Sequence, residues 1–202
     1  MADHYYTKQP HAAHHVNEWT FELKNRVFRF ATDSGVFSKG TVDFGSRVLI
    51  DTFSTENLPE GTVLDIGCGY GPIGLALVYA TNRKVEMVDI NERAVHLAQQ
   101  NAALNQLTNV TIHSSNLYEE VLEKNYAAIV SNPPIRAGKK VVHAILADAY
   151  ERLLPKGTLT IVIQKKQGAP SAQKKMVEVF GNAEIVAKEK GYYIIKSVKE
   201  KE

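Results

Sequence analysis

Two loops in this sequence carry residues whose types and spacing suit chemistry. The first, Asp65-Ile66-Gly67-Cys68-Gly69-Tyr70-Gly71-Pro72-Ile73-Gly74, follows a short apolar run. Glycines let a backbone turn sharply and, having no Cβ, let a ligand approach closely. Asp89 ends the next apolar run and can accept hydrogen bonds from both hydroxyls of a ribose. The second loop is Ser131-Asn132-Pro133-Pro134-Ile135. Adjacent prolines donate no ladder hydrogen bonds, so they end a strand. They also stiffen the chain and fix where the Asn132 side chain and the Pro133 carbonyl point. Each loop alone also has a plain reading, a glycine-rich turn in one case and a rigid turn in the other.

Two ligands compete for the glycine loop. Gly69-x-Gly71-x-x-Gly74 matches the dinucleotide fingerprint, and Asp89 stands about 20 residues beyond Gly69, where that fingerprint places an acid. Against a dinucleotide stands Asp65, which would repel a pyrophosphate but attract a cationic amino group such as that of S-adenosylmethionine. Asp65-x-Gly67-x-Gly69 fits the second ligand, and no further segment is long enough to look like a separate substrate domain. Cys68 reads as a residue small enough to sit between glycines. A catalytic thiol would need a base, and none is evident.

These loops need a frame to hold them. Trp19 to Leu23 and Arg26 to Ala31 alternate apolar and polar residues around Lys24-Asn25, predicting a β-hairpin. A glycine-marked loop follows at Gly35 to Gly40, and Asp43 caps a helix to about Phe53. Strands are then expected at Thr62 to Ile66, Lys84 to Asp89, Val110 to His113, Ala127 to Val130 and Thr158 to Ile163. Between them the pattern predicts helices from Pro72 to Ala80, after Asn91, around Tyr118 to Leu122 and from Lys139 to Leu153. A helix at Ser171 to Phe180 precedes strands Ala183 to Ala187 and Tyr192 to Ser197. Strands alternating with helices imply a parallel sheet covered on both faces. The last two strands are too close for a parallel crossover and should form an antiparallel hairpin.

The chain has 202 residues, a net charge of +2, 44% hydrophobic residues and one cysteine. That composition suits a globular domain that folds without disulfides, in a reducing compartment, and the expected location is cytoplasmic. No signal-peptide pattern or membrane-length apolar run is visible, so no membrane association is expected. The charge is too small to argue for nucleic acid by itself. Local clusters, Arg136 with Lys139 and Lys140, and Lys165 with Lys166, read equally as solvated surface. His4, His11, His14 and His15 crowd the start of the chain without partners at a recognised metal spacing, so no metal site is expected. The expected organisation is a tail over 1–16 and a single domain over 17–202, of which 17–57 is an extension and 58–202 the core.

With both loops in view, the chain resembles class I N-methyltransferases that carry an [D/N/S]-P-P-[F/Y/W/I] motif. Within them it resembles single-domain members of the small-subunit ribosomal RNA guanine-N2 methyltransferase C family. The resemblance runs from about Asn17 to Lys199. It rests on Gly35-Val36-Phe37-Ser38, Asp43-Phe44-Gly45-Ser46, Asp65-Ile66-Gly67-Cys68-Gly69-Tyr70-Gly71, Asn132-Pro133-Pro134-Ile135-Arg136-Ala137-Gly138-Lys139 and Gln167-Gly168-Ala169. It implies an α/β, Rossmann-like fold: a seven-stranded, mostly parallel sheet with a C-terminal antiparallel hairpin, plus an N-terminal hairpin extension. It also implies methyl transfer from S-adenosylmethionine to an exocyclic amine, guanine N2 in ribosomal RNA or the small ribosomal subunit.

By the same resemblance, Asp65, Gly67 and Gly69 would line the methionine part of the cofactor, and Asp89 its ribose. Ile90 would pack against adenine, Asn116 would contact the adenine amine, Leu117 would belong to the cofactor site, and Asn132 would touch both cofactor and substrate. Asn132 and the Pro133 carbonyl would accept the amine's N–H bonds and free its lone pair for in-line transfer, with no strong base required. Phe37 and Ser38 would close over the reacting atoms, beside Pro134 and Ile135. Lys39, Arg136, Lys139 and Lys165 are candidates for RNA phosphates. The chain departs from the family pattern in carrying Asn116 where an acid is usual, Ile135 where an aromatic is frequent, and no additional N-terminal domain. Related Asn-Pro-Pro loops also serve DNA adenine and protein glutamine methylation. A non-catalytic RNA-binding assembly factor is the alternative from another class.

Overall fold

The computed structural model describes residues 16–33 and 40–200. The histidines at 4, 11, 14 and 15 lie outside the described residues. So do Gly35 to Lys39, with the roles expected of Phe37, Ser38 and Lys39.

Seven strands form one sheet: β3 (Val63–Ile66), β4 (Val85–Asp89), β5 (Val110–Ser114), β6 (Tyr126–Ser131), β7 (Leu153–Gln164), β8 (Glu184–Glu189) and β9 (Tyr192–Val198). Their order is β5-β4-β3-β6-β7-β9-β8. The five from β5 to β7 are parallel, and β9 runs antiparallel to both β7 and β8. The central runs Val63 to Ile66 and Tyr126 to Ser131 are buried throughout, as a sheet covered on both faces requires. Lys190 and Gly191, both at positive φ, make the tight turn between β8 and β9.

The pleat sends alternate residues into two cores. Val63, Val85, Ala128 and Val130 pack beneath α1 (Phe44–Thr52), α2 (Pro72–Thr81) and α3 (Glu92–Leu104). Leu64, Ile66, Ile129 and Ile161 face α4 (Lys139–Asp148) and α5 (Ala169–Phe180). Truncating any of these fully buried aliphatics to alanine costs roughly 2–5 kcal/mol where leucine or isoleucine is removed. From β3 the chain builds outward through β4 and β5, then returns to place β6 on the other side of β3. The loops after β3 and β6 therefore lie side by side at the reversal of strand order, where open α/β sheets bind ligands.

The N-terminal hairpin, β1 (Asn17–Leu23) and β2 (Arg26–Thr32), is a separate two-stranded sheet turned by Lys24 and Asn25, both at positive φ. It is fastened to α3 by two asparagines one helical turn apart. Asn101 Oδ1 accepts from the Ala31 N–H at 2.6 Å, and its Nδ2 donates to the Ala31 carbonyl at 3.1 Å. Asn105 does the same for Arg29, at 2.9 and 2.7 Å. The two side-chain amides stand in for a neighbouring strand.

Two expected elements differ. No helix forms at Tyr118 to Leu122, where the chain makes a turn. Here side chains take the bonds a helix would use: Ser115 Oγ accepts the Glu120 N–H, Glu86 accepts the Leu122 N–H, and Tyr118 donates its hydroxyl to the Ile145 carbonyl. The helix expected from Lys139 to Leu153 ends at Asp148 and gives way to a 3-10 turn at Tyr150–Arg152. Leu153 instead opens β7 opposite Tyr126, since Pro155 pushes the preceding residue away from helical geometry.

Candidate active site

The glycine loop begins where β3 ends. The Gly67 and Cys68 N–H groups both donate to the Val88 carbonyl at 2.9 Å, which bends the chain off the sheet. Gly67 and Gly69 take φ of +72° and +57°, and a Cβ on either would meet no atom within 4 Å. The turn thus presents bare backbone to open space. Asp89, at the end of β4, accepts from the Gly69 N–H at 2.9 Å through one oxygen and from the Asn91 N–H at 2.8 Å through the other. The Ile90 N–H also bonds this carboxylate, which with about four acceptor sites still keeps capacity for a further donor. Burial raises the Asp89 pKa above the usual carboxylate range, opposed by the N–H bonds of Asn91 and Gly69.

Asp65 lies beneath the turn and does not line the cleft wall, being 1% exposed. One oxygen accepts from the Gly74 N–H at 2.9 Å; the other has no partner among the described residues. Burial pushes its pKa up to about 7, the Gly74 N–H pulls it down, and the Asp89 charge adds to the rise. An orphaned buried oxygen is costly and calls for a donor. Cys68, also buried, has its thiol pKa raised well above the ordinary value by burial, then by Asp89 and Asp65. It stays protonated and is not a nucleophile.

The Asn-Pro-Pro loop leaves β6 beside this turn. Ser131 Oγ donates to the Ile66 carbonyl at 2.8 Å, tying the ends of β6 and β3 together. Asn132 Nδ2 donates to Asp43 Oδ2 at 2.8 Å and to Ser46 Oγ at 3.1 Å. Neither the Asn132 side-chain oxygen nor the Pro133 carbonyl is engaged by a hydrogen bond among the described residues. Beyond Pro134 the chain makes a 3-10 turn, Ile135–Ala137.

One cleft of about 540 Å³ joins the two loops. Of the residues expected from sequence, Gly67, Gly69, Asp89, Ile90, Asn116, Leu117, Asn132, Pro133, Pro134, Ile135 and Arg136 line it, whereas Lys139 and Lys165 do not. Asn116 is exposed and gives its Nδ2 to Glu119 at 2.9 Å, which leaves its oxygen as the available end. Gln164, Gln167 and Tyr192 also line the cleft and were not singled out by sequence reasoning. Tyr192 reaches the site only because β9 inserts beside β7, opposite Gln164, a pairing that no local pattern announces. Asp43 was legible as a helix cap and Ser46 only as part of the family resemblance; nothing local marked either as a cleft residue. Among the described residues no group of three or more His, Cys, Asp or Glu is placed to hold a metal ion.

The model of the methyltransferase small domain matches residues 27–196. Uncharacterized protein YbxB of Bacillus subtilis (strain 168) is 53% identical over 201 residues, 98% of this chain and all of that protein. Ribosomal RNA small subunit methyltransferase C of Aliivibrio fischeri (strain ATCC 700601 / ES114) is 32% identical over 188 residues, 90% of this chain and 53% of that protein. The Thermus thermophilus enzyme described as T. Thermophilus 16S rRNA N2 G1207 methyltransferase, solved in complex with AdoMet and guanosine, superposes with a TM-score of 0.81 at 25% identity. That match covers 91% of this chain and 50% of the solved one. The chain spans about half the length of these ribosomal RNA methyltransferases. The fold, a bare glycine turn and an Asn-Pro-Pro loop on one cleft thus agree with a match over most of the sequence, and the chain belongs to the methyltransferase small-domain family.

Proposed function

We propose that this protein transfers a methyl group from S-adenosylmethionine to an exocyclic amine of a nucleobase, guanine N2 of small-subunit ribosomal RNA. The observation that carries the reading is the pair of open acceptors, the Asn132 side-chain oxygen and the Pro133 carbonyl, on the cleft shared with the glycine turn.

The cofactor fits the residues present. Its ammonium group suits the negative charge of Asp65 beneath the turn, whose second oxygen has no partner among the described residues, and its ribose hydroxyls suit the remaining acceptor capacity of Asp89. The bare backbone at Gly67 and Gly69 leaves room for the chain between them. Asn116, with its oxygen free, matches an adenine amine. When bound, S-adenosylmethionine supplies an electrophilic methyl on a sulfonium.

The protein's own part is orientation. An aromatic exocyclic amine is a poor nucleophile because its lone pair is delocalised into the ring. Two acceptors on its N–H bonds draw the nitrogen toward tetrahedral geometry and oppose that delocalisation. The acceptors are fixed beforehand by the proline pair and by Asp43 and Ser46, so little reorganisation accompanies the reaction. The target base must be unpaired or leave its helix to enter the cleft. Arg136, at the rim, is available to an RNA phosphate. Among the described residues no helix is long and apolar enough to cross a membrane, and the proposed setting is the cytoplasm.

Labelled S-adenosylmethionine incubated with separated RNA, DNA and protein fractions tests the substrate class. Label is expected in RNA, as N2-methylguanine. Label in protein alone would overturn the reading.

A further inference from the structure

We propose that Asp43 and Ser46, in the N-terminal extension, are positioning residues that decide which end of the Asn132 amide meets the substrate. The inference rests on the amine-methylation reading above. An asparagine amide is nearly symmetric in shape but opposite in character at its ends: the oxygen accepts hydrogen bonds and the NH2 donates. Only the accepting end suits a substrate amine that arrives with N–H bonds.

The surroundings select that end. A carboxylate can only accept, so the atom of Asn132 lying 2.8 Å from Asp43 Oδ2 is the amide nitrogen. Ser46 Oγ, at 3.1 Å, takes the second hydrogen of the same NH2. Turning the amide over would set its oxygen against the Asp43 carboxylate with no proton between them, and would leave both N–H bonds in the cleft. The arrangement therefore holds the amide in one sense and leaves its oxygen for the substrate.

The clamp is itself anchored. The Asp43 oxygen that holds Asn132 also accepts from the Ser46 N–H at 2.9 Å and so caps α1. Gly45, between them, lies flush against the Tyr192 ring: a Cβ there would fall 2.8 Å from two ring atoms. A helix start held by its cap and seated on β9 fixes the amide of a loop 89 residues away in sequence.

Two substitutions separate this role from helix capping. Serine is as good an N-cap as aspartate but too short to reach Asn132. Asparagine keeps an oxygen at the length needed for both partners. The assays are methyl transfer to RNA, S-adenosylmethionine binding by calorimetry, thermal unfolding, and 15N NMR of the Asn132 side-chain NH2, assigned by its loss in Asn132→Ala.

Asp43→Ser is expected to lower kcat about 100-fold, as for a misplaced reacting group, with little change in cofactor affinity or melting temperature. The Asn132 NH2 should lose its protection from solvent exchange in that variant. Asp43→Asn should recover most of both. Retained protection and unchanged kcat in Asp43→Ser would overturn the proposal. So would a loss of kcat that follows the melting temperature and is not recovered by Asp43→Asn. The NMR readout needs no substrate, so the clamp is judged separately from the identity of the methylated base.

Discussion

Asp65 accepts the Gly74 N–H at 2.9 Å through one carboxylate oxygen and keeps the other, fully buried, without a partner among the described residues. The first bond pins the start of α2 to the end of β3. The second oxygen is a charge site that the protein builds and does not satisfy by itself.

The raised pKa of Asp65, about 7, makes cofactor binding pH-dependent. Below pH 7 the group is largely protonated and cannot pair with an ammonium; above it the carboxylate is formed. Affinity for S-adenosylmethionine should rise as pH passes from 6 to 8, with a proton released on binding. Calorimetry in buffers of different ionisation enthalpy measures that proton. Asp65→Asn should weaken binding and flatten the pH dependence; a retained slope in the variant would remove Asp65 as its source.

The same shift bears on stability with a definite sign. The folded pKa lies above the unfolded value of 3.8, so between these values the folded state holds more protons than the unfolded one. Stability of the cofactor-free protein should therefore fall as pH rises from 4 to 7, at up to roughly 1.4 kcal/mol per pH unit from this group. Urea unfolding of wild type and Asp65→Asn across that range should show the difference.

Removing the Asn132 amide tests the reacting loop most directly. Asn132→Ala should bind the cofactor nearly as well as wild type and lower kcat by about 100-fold or more, as loss of one preorganised group commonly does. Equal rates would end the role assigned to Asn132.

Asn132→Asp is the subtler change. It sets a second carboxylate about 2.8 Å from Asp43, where like charges cannot both ionise freely. One of the pair should hold a proton well above the usual carboxylate range. The variant's kcat relative to wild type should then recover as pH falls from 8 to 6. A ratio independent of pH would argue that the two side chains part in the variant.

Asn101 joins the hairpin to the cofactor turn, since its Nδ2 also donates to the Tyr70 carbonyl at 2.8 Å. Asn101→Ala strips the side-chain amide from both the Ala31 N–H and the Ala31 carbonyl, and takes one donor from the Tyr70 carbonyl. Each buried group left unpaired costs about 1–3 kcal/mol. Denaturant unfolding should show a loss of about 2 kcal/mol or more, and hydrogen exchange at Ala31 should speed up. A loss below 1 kcal/mol would mean that water replaces the amide.

Much of this was legible in the sequence because the relevant signals are local. Short apolar runs marked β3, β4 and β6, and the double proline marked where β6 had to stop. The hairpin turn showed at Lys24-Asn25 and the helix cap at Asp43. What escaped depends on pairing across the sheet or on side-chain bonds. Tyr192 and Gln164 meet only through the insertion of β9. The turn at Tyr118 is held by Glu86, on β4, which captures the Leu122 N–H, and by Ser115, at the head of the same segment, which captures the Glu120 N–H. The second partner of Asp43, Asn132, lies too far along the chain for any periodicity to suggest.

Asn101 and Asn105 have a consequence for how the protein meets other copies of itself. An open strand margin is a template on which stray strands can add, and proteins guard such margins against fibre growth. Here the free margin of β2 is occupied at Arg29 and Ala31 by two short side chains that cannot extend the ladder. At these two positions the margin is sealed from within by side-chain amides of α3, in addition to the charges that Arg26 and Arg29 bring to the strand.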